Sequence, residues 1–265
     1  MPSPDKPRWG RQSRPLVIAH RGASAERPEN SLASFRLAEE QGADAVELDV
    51  MRCGSGEVVI FHDDDLKRLA GRPDRIRETP LATLREVPIE GAPMPTLEEL
   101  FASVGPDLLI NVELKSPDRR GLQYLETLKD DGLAREVAAI IRRFGMAERV
   151  LVSSFDPTLL LRFRRAMPEV ATGLLFQSNM GRALRDAWAA PLLRPTALHP
   201  ENLLVSPRAV DLWHRAGRAV NVWTVDAPHE IAFLTTIGCD GIITNRPAAT
   251  RAAIDATLAA QAHAG

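Results

Sequence analysis

Short runs of β-branched and aliphatic residues alternate along the chain with longer stretches whose apolar positions recur at i, i+3 and i+4. These are the periods of buried strands and amphipathic helices. Runs at Leu16–Ala19, Ala45–Val50, Leu108–Leu114, Val150–Ser153, Ala171–Phe176, Ala197–His199, Val220–Thr224 and Gly241–Thr244 read as strands. Helical patterns fall at Asn30–Gln41, with Leu32, Phe35 and Ala38 on one face, and at Tyr124–Phe144, Pro157–Ala166, Gly181–Ala189, Ala209–Ala216 and Pro228–Ile237. An alanine-rich helix follows Pro247, and Thr96 with Glu99 forms a capping box that opens a helix at Leu97. Eight βα repeats in 265 residues predict an α/β fold, a closed (β/α)8 or TIM barrel, as one domain over residues 15–265.

Two stretches break the alternation. Val58–Phe61 is a further strand-like run too close to Val50 for a helical crossover, so it is either a hairpin appendage or an irregular barrel segment. Residues 63–95 hold five prolines, show little periodicity and have too few apolar residues for a core of their own. They read as an irregular excursion after the second strand, near the active-site end. Residues 1–14, basic and proline-rich, read as a flexible tail.

Composition narrows the class. A net charge of −2 excludes a dedicated nucleic-acid binder held by a global positive field. No apolar run approaches the ~20 residues of a membrane span, so stable membrane insertion is not expected. The N-terminus lacks the apolar core of a secretory signal, and Cys53 and Cys239 read as free thiols, which together suggest a cytoplasmic protein. Dinucleotide, P-loop, serine-esterase and zincin motifs are all absent.

Polar residues gather instead at the ends of predicted strands, where barrels of this kind place their chemistry. The first strand runs into His20-Arg21-Gly22, the second carries Glu47-Leu48-Asp49, and the third carries Glu113-Leu114-Lys115. Alternation puts Glu47 and Asp49 on one face, and likewise Glu113 and Lys115. Three converging carboxylates suit a hard divalent cation. The alternative is a structural salt bridge of Glu113 with Lys115 or Arg21, leaving Glu47 and Asp49 on a solvated edge. His20 and His62 can share acid and base duty, Asp63–Asp65 offer an orienting carboxylate, and Arg21 and Lys115 can hold phosphate. Trp223 is either a wall of the pocket or a core aromatic capping the barrel. His199, His214, His229 and His263 have no evident partners.

In order along the chain, His20-Arg21-Gly22-Ala23, Pro28-Glu29-Asn30-Ser31, Glu47-Leu48-Asp49-Val50, Phe61-His62-Asp63 and Glu113-Leu114-Lys115 resemble the signature of the glycerophosphodiester phosphodiesterase family. The similarity continues through Val152-Ser153-Ser154-Phe155, Asn221-Val222-Trp223-Thr224-Val225 and Cys239-Asp240-Gly241-Ile242-Ile243-Thr244. The resemblance implies a phospholipase C-like barrel that hydrolyses glycerophosphodiesters, such as glycerophosphocholine or glycerophosphoethanolamine, to sn-glycerol 3-phosphate and an alcohol. It implies Mg²⁺ or Ca²⁺ on Glu47, Asp49 and Glu113, His20 and His62 as the acid–base pair, and phosphate contacts from Arg21 and Lys115. The glycerol 2-hydroxyl is the implied nucleophile. A lysophospholipase D-type activity and a non-catalytic phosphodiester-binding barrel are the alternatives. The sequence specifies no oligomeric state.

Two positions depart from the family pattern. Thr244-Asn245-Arg246-Pro247 has Asn where Asp is usual, read here as a helix N-cap. Cys53-Gly54-Ser55-Gly56 replaces the more usual Asp-Gly turn.

Overall fold

The computed structural model describes residues 9–116, 132–185 and 187–264. Among the described residues nine strands form one sheet: β1 (Leu16–His20), β2 (Ala45–Arg52), β3 (Val58–Ile60), β4 (Leu109–Leu114), β5 (Val150–Ser154), β6 (Ala171–Phe176), β7 (Ala197–Pro200), β8 (Ala219–Val222) and β9 (Gly241–Thr244). Eight of them close a parallel ring, because β1 pairs with both β2 and β9. The expected TIM barrel is therefore the fold. β3 lies outside the ring, antiparallel to β2, with Val50 opposite Ile60 and Arg52 opposite Val58. The hairpin reading of Val58–Phe61 is thus the one realised.

The ring strands are buried on both faces, which explains their near-continuous apolar sequence. Outward residues such as Val46, Leu48, Val112 and Val152 pack under the helices Leu32–Glu40, Leu97–Ser103, Leu133–Arg143 and Pro157–Ala166 in the largest hydrophobic cluster. The Thr96 capping box forms, with Glu99 N–H donating to Thr96 Oγ1 and Thr96 N–H donating to Glu99 Oε2. Of the helix expected at Tyr124–Phe144, residues 124–131 lie outside the described residues, and the described helix is Leu133–Arg143. The helix expected at Gly181–Ala189 is a short Arg182–Arg185 turn, followed by another at Ala190–Leu193.

Inward residues alternate with these and sort by height. At the N-terminal end of the ring Ile18, Ala45, Leu109, Leu151, Ala197, Ala219 and Ile243 meet Trp9. Trp9 is 4% exposed and donates its indole N–H to the Arg149 carbonyl at 3.0 Å. Arg11 Nε and the Gln12 backbone N–H both bond Asp240 Oδ1. Residues 9–12 of the tail expected at 1–14 therefore pack at the barrel floor, while residues 1–8 lie outside the described residues. One indole can bury ~150–250 Å² of surface, more than the neighbouring prolines and basic residues suggest.

Residues 63–95 have no core of their own but share one with the hairpin. Leu66, Ile76, Leu84, Val87, Ile89 and Met94 bury themselves with Met51, Cys53, Val59 and Phe61 of the β2–β3 hairpin. The apolar residues are few, but residues 51–61 of the hairpin supply four of the ten buried members of the cluster. Cys53 and Cys239 are buried free thiols.

Candidate active site

At the C-terminal ends of the ring strands lies a cavity of about 130 Å³, lined in part by His20, Arg21, Glu47, His62, Glu113 and Lys115. The register explains the convergence. His20 of β1 stands opposite Glu47 of β2, and Asp49 opposite Glu113 of β4. One carboxylate oxygen from each of Glu47, Asp49 and Glu113 lies within 4.8 Å of the others.

All three acids are buried, at 4%, 1% and 8% exposure, so they are not on a solvated edge. Lys115 Nζ does bridge Glu113 Oε1 at 3.0 Å and Asp49 Oδ1 at 3.3 Å, and Arg21 Nε lies 3.3 Å from Asp49 Oδ2. Burial pushes Asp49 up, but Lys115 and Arg21 outweigh it and hold its carboxyl below the ordinary range. For Glu47, burial and the charges of Asp49 and Glu113 prevail, and its pKa is raised well above the ordinary carboxylate value. Glu113 is raised by burial in spite of Lys115. Two flanking cations thus leave part of the buried negative charge uncompensated. An all-oxygen donor set with that residual charge fits a hard divalent cation.

The turn after β1 is built around its side chains. Arg21 has φ 56° and Gly22 φ 83°. A Cβ on Gly22 would sit 2.6 Å from the backbone carbon of Ser34, so glycine is required there. This turn aims the Arg21 backbone N–H at Glu47 Oε2, 3.1 Å away, and the guanidinium at Glu29, where Nη1 to Oε1 is 2.9 Å. Asn30 donates Nδ2–H to Asp49 Oδ2 at 3.0 Å.

The two histidines have different neighbours. His62 Nδ1 is 2.6 Å from Asp63 Oδ1. His20 Nδ1 is 2.8 Å from Asn245 Oδ1, and burial, reinforced by the Arg21 charge, lowers its pKa to about 4. Asn245 is not a helix cap. The helix begins at Pro247, after Arg246, and the Asn245 side chain turns inward between His20 and Asp226. Trp223 lies just past the end of β8 and walls the cavity. Its indole N–H donates to the His199 carbonyl at 2.7 Å, and its ring meets Phe155 edge-on, centroids 5.4 Å apart.

The structure adds residues that carried no signal in the sequence. Asn111, opposite Glu47 in register, lines the cavity at 1% exposure, and neither of its amide atoms has a protein hydrogen-bond partner among the described residues. Gln177 lines the same cavity from the end of β6. Arg68, from the excursion, bonds both Glu29 and Asp63. His199 and His214 have partners after all, in Asn221 and Asp240.

A parallel eight-stranded ring with acids, imidazoles and the cations of Arg21 and Lys115 sharing one mouth fits a phosphodiester hydrolase of the TIM-barrel class. A model of the Glycerophosphoryl diester phosphodiesterase family matches residues 20–249, and the chain belongs to that family. A glycerophosphodiester phosphodiesterase of Caldanaerobacter subterraneus is 31% identical over 88% of this chain and 94% of its own. Among solved structures, an Oleispira antarctica phosphodiesterase in complex with the product sn-glycerol-3-phosphate superposes with a TM-score of 0.76 at 30% identity, covering 91% of this chain and 97% of its own. A Thermotoga maritima glycerophosphodiester phosphodiesterase gives 0.71 at 29% identity, covering 89% and 97%.

Proposed function

We propose that the protein hydrolyses small glycerophosphodiesters to sn-glycerol 3-phosphate and an alcohol, with a divalent cation, Mg²⁺ or Ca²⁺, on Glu47, Asp49 and Glu113. The observation that carries this reading is the cluster of three buried carboxylates within 4.8 Å, two of which, Glu47 and Glu113, line the cavity together with His20, His62, Arg21 and Lys115. The product complex of the Oleispira relative supports the glycerol phosphate side of the reaction.

In this reading Arg21 and Lys115 hold the phosphate oxygens, the first by its fork and the second as a point charge. His20, neutral near pH 7, takes the proton of the glycerol 2-hydroxyl as that oxygen attacks phosphorus. His62, paired with Asp63, gives a proton to the departing alcohol oxygen as the P–O bond breaks. The five-membered cyclic phosphate is then opened by water, with His62 taking the water proton and His20 returning one to the 2-oxygen. A bound cation would lower the pKa of the attacking hydroxyl and offset charge on the phosphoryl oxygens. Trp223 and Phe155 form an apolar wall for the glycerol or the head group.

The excursion argues against an acyl-chain groove built from residues 63–95, because Leu66, Ile76, Leu84 and Met94 are turned into their own cluster. The deciding experiment measures sn-glycerol 3-phosphate release from glycerophosphocholine and glycerophosphoethanolamine with Mg²⁺, with Ca²⁺ and with chelator. Cation-dependent release is expected. Folded protein that releases none with either cation overturns the reading.

A further inference from the structure

We propose that Asn245 and Asp226 are positioning residues that lock His20 in the tautomer with its proton on Nδ1, leaving Nε2 as the acceptor for the cavity. The proposal rests on the reading of His20 as the base in the attack step. A neutral imidazole can carry its proton on either nitrogen, and only one arrangement leaves Nε2 able to receive a proton. The choice is made by whatever faces Nδ1.

Here that atom is the Asn245 side chain, and its orientation is dictated one step further back. Asp226 receives three donors: the Asn245 backbone N–H and the Thr244 hydroxyl at Oδ1, each at 2.8 Å, and Asn245 Nδ2 at Oδ2, at 2.7 Å. A carboxylate only accepts, so the amide nitrogen of Asn245 must point toward Asp226. Turning the amide over would press Oδ1 against a carboxylate oxygen at the same distance. The remaining atom, Oδ1, therefore faces His20 Nδ1 at 2.8 Å, and the Ser24 hydroxyl lies 2.9 Å from the same oxygen. An amide oxygen cannot donate, so Nδ1 supplies the proton of this bond. His20, Asn245 and Asp226 form a one-way chain of donors ending on a carboxylate, held between the ends of β1 and β9.

The test reads the tautomer directly. In ¹⁵N-labelled, metal-free, full-length protein at pH 7.5, long-range ¹H–¹⁵N spectra should show His20 with a protonated Nδ1 and a bare Nε2, assigned by comparison with His20→Gln. Asp226→Asn frees the Asn245 amide to turn its nitrogen toward His20. The proton should then shift in part to Nε2, with kcat falling about tenfold or more and KM within twofold. The double variant Asp226→Asn, Asn245→Asp restores an acceptor facing His20 and a donor behind it, and should recover the wild-type spectrum and most of kcat. Should Asp226→Asn fail to fold, Asn245→Ala and the double variant carry the same readout. A wild-type His20 protonated on Nε2, or a tautomer unmoved in Asp226→Asn and Asn245→Ala, overturns the proposal. The spectrum needs neither substrate nor cation, so failure of the hydrolase reading and failure of this one are separate results.

Discussion

Arg68 grips both carboxylate oxygens of Glu29, with Nη2 2.6 Å from Oε1 and Nη1 3.1 Å from Oε2. The pair ties the excursion to the loop after β1. Through Glu29 it reaches Arg21, and the Arg68 Nε bond to Asp63 reaches His62. Because Arg68 is 46% exposed, the ion pair itself contributes little to stability, ~0–1 kcal/mol. Its effect is expected in placement. Arg68→Ala should lower kcat/KM about tenfold while leaving the denaturation midpoint nearly unchanged. Unaltered kinetics would mean that Glu29 and Asp63 hold their neighbours without it.

Removing either imidazole tests the acid–base pair. His20→Ala and His62→Ala should each reduce turnover by at least about 10²-fold. Near-normal turnover in one variant removes that residue from proton transfer.

Glu47→Gln keeps the size of the side chain and removes one carboxylate of the cluster of three. Cation affinity by calorimetry should fall by roughly tenfold or more. Unchanged affinity would take Glu47 out of the ligand set.

Burial holds His199 neutral, lowering its pKa from the ordinary 6.5 to about 3. Between those values the unfolded chain binds a proton that the folded chain refuses, so acid favours unfolding. The stability is fully present above pH 6.5 and is lost as pH falls toward 3, with a slope of up to about 1.4 kcal/mol per pH unit. Urea midpoints from pH 7.5 to 5 should fall more steeply for the wild type than for His199→Leu. Parallel curves would assign the acid sensitivity elsewhere.

Gly22→Ala should destabilise the fold, by about 1–3 kcal/mol from the left-handed backbone alone and further from contact with Ser34. A thermal midpoint equal to the wild type would show that the turn can rearrange.

The barrel was legible in the sequence because its strands are buried on both faces, and continuous runs such as Val150–Ser154 stand out against helical periods. Glu47, Asp49, Glu113 and His20 stand out in the sequence because ionisable residues inside apolar strands are conspicuous, and His62 because it directly precedes the acidic run Asp63–Asp65. Asn245 was not, since a polar residue shortly before a helix-opening proline has the look of a cap. What separates the two cases is the contact with Asp226, nineteen residues earlier, which no local pattern encodes. Trp9 was hidden by its proline-rich, basic neighbours, and the excursion's core by its dependence on Met51, Cys53, Val59 and Phe61 of the β2–β3 hairpin.

The placement of β3 outside the ring has a consequence for how such an enzyme can diversify. The ring's hydrogen bonds close without it, so the segment from β3 to residue 95 is a graft onto a finished barrel. His62 is carried by that graft, whereas His20 is carried by the barrel wall. In the proposed mechanism, the partner of the attacking oxygen and the partner of the departing alcohol are thus mounted on separate parts. On that mechanism, sequence drift in the graft would retune the enzyme toward a new leaving group while the residues proposed to handle the glycerol phosphate half stay in place.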